Sequence, residues 1–306
     1  MTRKSILALS PLVLACGLAT DALAAQRVFV ASNGLDTNTC TLASPCRSFA
    51  HAMTQVDDGG EIVALNAAGY GAVTITKSVT ITTNLGFFAG IAASMGSAIS
   101  VVAPGLNVVL RGLALNGIGA TTGIAMADAG KLTVENCIIS GFTGDGIAVT
   151  APATVRIVDT VVRGNGTEGN GDGIFVTAGS NATLNNVKMS RNQRAGLAVK
   201  DSAGVNTTVS VFNSDASFNN YGYLSHKTEM TGSARVAVLR SSASANALAG
   251  VATVGAAEAA VSSSHVSGND VGFSNDGTGT FETYQNNILR QNIMATVGTI
   301  TNVMGQ

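Results

Sequence analysis

Two short strings of the sequence carry the residue types of a catalytic or ligand site. Gly144-Asp145-Gly146-Ile147 and Gly171-Asp172-Gly173-Ile174 repeat one pattern. If they are equivalent positions on adjacent strands, their carboxylates stand about 5 Å apart. That separation could hold a Ca²⁺ or serve the paired carboxylates of a retaining glycoside hydrolase. Three cationic or basic residues recur nearby: Arg194 aligns with Gly171, while Lys200 and His226 each fall four residues past a glycine, Gly196 and Gly222. Asp145, Asp172, Arg194, Lys200 and His226 together would line a groove suited to an acidic sugar. The plainer account is structural and weighs more: Asp between glycines is an ordinary turn residue, and Arg194 and Lys200 fit a solvated face. Tyr221 and Tyr223 flank Gly222 close to His226 and form the one aromatic pair near these charges.

Only a repeated architecture makes those strings equivalent, and the repeat is visible in two columns. Glycines that open an apolar run fall at Gly123, Gly146, Gly173, Gly196, Gly222, Gly250 and Gly272, and asparagines at Asn165, Asn192, Asn219, Asn246, Asn269 and Asn292. Both columns recur at intervals of about 22 to 28 residues, the range of stacked repeat units. Before each Asn the apolar residues alternate: Val155, Ile157, Thr160 and Val162, then Ala182, Leu184, Val187 and Met189, then Val209, Val211, Ser214 and Ala216. A two-residue period marks a strand with one buried face. Units this short must stack to bury that face. In register, the Asn amides form a ladder, and Asn tolerates the left-handed backbone that a sharp corner demands. The same frame puts Cys137 inside. The expected fold is all-β, a single-stranded right-handed parallel β-helix.

The ends read differently. Residues 1–25 carry a basic start at Arg3 and Lys4, an apolar stretch and an Ala22-x-Ala24 site, the features of a secretory leader. An alternative uses Val13-Leu14-Ala15-Cys16 as a lipoprotein site with Cys16 lipidated. Residues 26–60 are expected to cap the stack, with Cys40 and Cys46 as the natural disulfide pair of an oxidising compartment. Phe49, Ala52, Met53 and Val56 have the spacing of one helical face. The helical stack is expected over 61–306. The uncharged stretch between Lys77 and Arg111 is no membrane span, because Asn84, Gly86, Gly90, Gly96, Pro104 and Asn107 interrupt it. Charged residues make up 11% and the net charge is −1, with no basic tract of the kind that nucleic acid requires. The histidines and cysteines show no zinc or copper spacing.

The stretch Arg27-Val28-Phe29-Val30-Ala31-Ser32-Asn33-Gly34, the Cys40 to Cys46 segment, and Gly59-Gly60-Glu61-Ile62-Val63 with Gly69-Tyr70 resemble the opening of bacterial pectin-lyase-like right-handed β-helix proteins. The Gly-Ile-x-Val strings followed by the Asn column resemble the repeats of their carbohydrate-binding and sugar-hydrolase members. The resemblance implies that fold and a glycan-related role, and leaves activity open, since function is not a property of the fold. The pectate-lyase Trp motif and the Asn-Thr-Asp and Gly-His-Gly elements of polygalacturonases are missing here. The resulting expectation is an exported β-helix without catalysis that binds an envelope or extracellular glycan or protein. The alternative is a polysaccharide lyase, hydrolase or epimerase using the five residues above, with Ca²⁺ as its one candidate cofactor.

Overall fold

The computed structural model describes residues 26–84, 86–87 and 89–304; the leader and Cys16 lie outside them. Every paired strand runs parallel to its neighbours in three walls. Wall one has twelve strands, from Arg27–Val30 to Thr301–Val303. Wall two has ten, from Ala68–Gly69 to Ile288–Arg290, and wall three has ten, from Val73–Ile75 to Met294–Val297. The chain visits the walls in the order one, two, three and then climbs to the next rung, giving about ten turns.

Register follows the alternation. Ile157 lies opposite Leu184, and Leu184 opposite Val211. All three are fully buried, as are Val162, Met189 and Ala216 on wall two. One continuous core runs the length of the stack, and the buried Cys137 is part of it. Strands buried on one face only cannot stand alone, so each rung depends on the next for both its backbone hydrogen bonds and its apolar burial.

The N-terminal end is closed. Cys40 and Cys46 form a disulfide, and the helix Phe49–Gln55 starts at Ser48, whose hydroxyl accepts from the His51 N–H at 3.2 Å. Phe49, Ala52 and Met53 seal the first coils. Among the described residues no helix is long and apolar enough to cross a membrane.

The corner between walls two and three departs from expectation in one respect. The ladder asparagines, buried from Asn165 to Asn269 and half-buried at Asn292, do not adopt the left-handed backbone; the residue before each one does, at Gly164, Arg191, Phe218, Ala245, Gly268 and Gln291. The cause is the direction of the amide. To point inward and meet the rung above, Asn must follow the reversal rather than make it. A second corner, between walls one and two, has its own left-handed column at Asn136, Asp159, Asn186, Asn213, Arg240 and Ser263.

Candidate functional site

The corner between walls two and three is built by two columns that require each other. Asn192 donates from both its backbone N–H and its Nδ2 to Asn219 Oδ1, at 2.9 and 3.2 Å, and Asn219 repeats the pattern to Asn246. The glycine that follows lies under the amide: a Cβ on Gly173 would stand 2.8 Å from Asn192 Nδ2 and 2.6 Å from the Gly196 carbonyl oxygen. Only glycine lets the ladder pass this close.

Asp145 and Asp172 sit between ladder and glycine on successive rungs. The Asp172 N–H donates to Asp145 Oδ1 at 2.8 Å. Asp172 itself is fully buried, and both its oxygens are engaged. Arg194 Nε and the Ala195 N–H donate to Oδ1 at 2.9 and 3.0 Å, and Arg194 Nη2 donates to Oδ2. Burial pushes the Asp172 carboxyl up to about 6, against the pull of Arg194, and burial raises Asp145 in the same direction. Burial also works against the charge on Arg194, but its bonds to Asp172 and the field of Asp145 outweigh it and raise its pKa. At Asp172 a guanidinium therefore holds the place that a metal cation would take. Such a carboxylate positions Arg194, whose guanidinium lies 6.0 Å from the centre of the Phe175 ring.

Lys200 and His226 are register partners at the other border of wall three. They stand five residues past Ala195 and Tyr221, about 17 Å along an extended strand. The outward Ala198, Leu224 and Ala252 lie between the two borders and pack with Ala195, Ala249 and Val271 in an apolar cluster separate from the core. Burial, and then the charges of Lys200 and Arg194, lower the His226 pKa, so the ring is neutral at neutral pH. The structure thus brings Asp145, Asp172 and Arg194 into one hydrogen-bonded cluster, and Lys200 and His226 share its face, near enough for the Arg194 charge to act on His226, without a hydrogen bond to the cluster among the described residues.

Sequence reasoning passed over the residues on the outside of this corner. Arg191 and Phe218 occupy the left-handed slot on neighbouring rungs, with φ of 55° and 58°. A bulky residue there costs about 1–2 kcal/mol against glycine, and Gly164 and Gly268 fill the slot on other rungs. Phe218 is 57% exposed, and the Arg191 guanidinium lies 5.2 Å from its ring centre. Arg191 forms no ion pair among the described residues. The two side chains border a recess of about 310 Å³ that Gln193, Asn220 and Ala247 also line. The signal was one position upstream of the Asn column, where glycine alternates with Arg and Phe. A larger recess of about 470 Å³ lies near Phe87 and Ile138, but its cation, Arg111, is paired with Glu135.

Among the described residues one group has metal-ligand geometry: Cys40, Cys46 and His51, with ligand atoms within 4.8 Å of one another. Its two sulfurs are joined in the disulfide.

The model of the right-handed β-helix region matches residues 62–212 and 99–288. The chain belongs to the right-handed β-helix family. This right-handed β-helix superimposes on the crystal structure of pectate lyase Pel9A with a TM-score of 0.53 at 14% identity, covering 93% of this chain and 80% of that one. It also matches XylC, solved in complex with xylose, with a TM-score of 0.58 at 8% identity over 82% and 70% of the two chains. The A-module of the mannuronan C-5 epimerase AlgE4 of Azotobacter vinelandii gives 0.49 at 13% identity over 81% and 91%. At these identities the first two matches establish the fold alone. No curated protein matches this β-helix by sequence.

Proposed function

We propose that this β-helix is an exported, non-catalytic protein that binds an acidic glycan along the outer corner between walls two and three. The observation that carries the reading is the pair Arg191 and Phe218. Both are held in a backbone conformation that disfavours them, both face solvent, and they stack at the rim of a recess. An exposed aromatic face receives the apolar side of a sugar ring. A guanidinium without an internal partner receives its carboxylate as a fork. Gln193 and Asn220 offer amides to ring hydroxyls. The corner imposes this backbone on every rung, and two bulky, exposed side chains kept where other rungs place Gly, Ala or Gln point to a use outside the fold. Two of the neighbours in fold are named as a pectate lyase and as a xylose complex, which is consistent with sugar as a ligand class. The disulfide supports an oxidising, extracytoplasmic location.

Catalysis by Asp145 and Asp172 is disfavoured, because Asp172 is fully buried and bonded to Arg194 and the Ala195 N–H, out of reach of a substrate. Retardation of the protein in gels cast with polygalacturonate or alginate, against neutral xylan, tests the proposal. Arg191→Gln and Phe218→Ala should each weaken uronate binding about tenfold or more, the effect of losing one charged fork or one stacking face. Asp145→Asn with Asp172→Asn should leave Arg191-dependent binding in place. Equal retardation by xylan, or none by any uronate polymer, would refute the binding reading. Release of unsaturated product or reducing ends, abolished in the double Asn variant, would replace it with the catalytic one.

A further inference from the structure

The arginines of wall one are all paired: Arg27 meets Glu61, Arg111 and Arg156 share Glu135, and Arg235 meets Glu258. Wall two is charged differently. Its strands carry Arg163, Lys188 and Arg290 against a single carboxylate, Asp215. All three cations are exposed, and among the described residues none of them forms an ion pair. Asp215 accepts instead from the hydroxyls of Ser217 and Ser242, at 2.6 and 2.5 Å. Register sets these groups in line. Arg163, Ser190, Ser217, Ser244, Ser267 and Arg290 are successive partners in one outward row, and Lys188 faces outward on the strand of Ser190. Five rungs of about 4.8 Å separate Arg163 from Arg290, about 24 Å in all. Arg191 and Phe218 follow Ser190 and Ser217 directly in the chain, so the recess they border opens beside this row.

From this we infer that the ligand of the Arg191 and Phe218 recess is a polyuronate laid along the stack, held over several rungs by Arg163, Lys188 and Arg290. The inference rests on the recess binding an acidic sugar, and adds that a chain of such sugars is what wall two recognises. Wall one shows how this fold neutralises its arginines when the cations serve the wall itself. Cations left exposed without a carboxylate on their own wall attract an external anion, and a guanidinium takes a carboxylate as a fork. A polyuronate carries one carboxylate per sugar, and a sugar ring is about as long as a rung is high. Its charges therefore recur on the scale at which wall two presents its own. The small serines between the two arginines leave the floor of the row low, so an extended chain can lie against it. Each sugar after the first binds as an intramolecular event, which gives affinity that grows with length.

Isothermal titration of the full chain with oligogalacturonates of increasing length measures it. Affinity should rise about tenfold or more from the dimer to the octamer and then level off. Arg163→Gln and Arg290→Gln should each bring the octamer's affinity back toward the dimer's, with an unchanged β spectrum, since both side chains are exposed. Lys131→Gln, which removes an exposed cation from wall one, should leave the octamer at its wild-type affinity. An octamer bound no more tightly than a dimer, wild-type affinity at every length in both arginine variants, or an equal loss in Lys131→Gln would overturn the track along wall two and leave the recess as a site for a single uronate. Absence of uronate binding at every length would overturn the recess and the track together.

Discussion

Asp172 is the residue whose environment departs furthest from what its neighbours in sequence suggest. Its carboxyl titrates at about 6 in the folded chain against an ordinary value of 3.8, because burial outweighs Arg194. Between those two pH values the folded state keeps a proton that the unfolded state has released. Stability therefore falls as pH rises from about 4 to about 6, by about 3 kcal/mol in all, and then levels off. Asp145, raised in the same direction, adds to the slope. Asp172→Asn should flatten the dependence, so that melting temperatures taken between pH 4 and 7 converge with wild type at the acid end and separate from it at the neutral end. Wild-type and variant curves running parallel would show that Arg194 neutralises the buried charge completely. The carboxylate holds Arg194 in place at the border of wall three, with its guanidinium toward the Phe175 ring.

At the scale of the element, the Asn ladder and the glycine column form one device, and each predicts how the other fails. Asn219→Ala strips the acceptor from the Asn192 N–H and Nδ2 and the donor from the Met189 carbonyl. Buried groups left unpaired in this way cost about 2–4 kcal/mol. Gly222→Ala drives a Cβ to 2.4 Å from the Gly250 carbonyl oxygen, a backbone atom that cannot yield alone. Each should lower the urea midpoint, and Ser241→Ala, on the neighbouring corner, should lower it less, because its hydroxyl partly bonds within its own rung, to the Leu239 carbonyl. Both columns were legible in the sequence because close packing tolerates one residue type there. The left-handed slot was displaced by one residue in the reading, since Asn has two reasons to stand at a corner and only its amide was in use. The corner between walls one and two escaped notice: Asn136, Asn186 and Asn213 keep the type, but Asp159, Arg240 and Ser263 interrupt it. Arg191 and Phe218 were invisible to periodicity, which detects the buried face and is silent on what a corner displays outward.

For the whole molecule, repeat arithmetic placed each residue on its rung and left the breadth of a wall unmeasured. That is why Lys200 and His226 share a face with Arg194 without sharing its cluster. A stack in which each rung touches only its neighbours should also lose stability locally. The N-terminal closure provides the test. The Phe29 N–H donates to the Cys40 carbonyl at 2.7 Å, and the Cys46 N–H to the Phe29 carbonyl at 2.9 Å, so the disulfide loop grips the first strand directly. Removing the bridge through Cys40→Ser and Cys46→Ser forfeits about 2 kcal/mol by the loop-entropy estimate. In a nearest-neighbour stack that loss falls on the end: hydrogen exchange should accelerate in Arg27–Val30 and Gly60–Ala64, while Asn206–Phe212 and Ser233–Leu239, six rungs or more away, keep wild-type rates. Uniform acceleration along all three walls would mean that the core running from Val28 to Phe281 opens as a single cooperative unit.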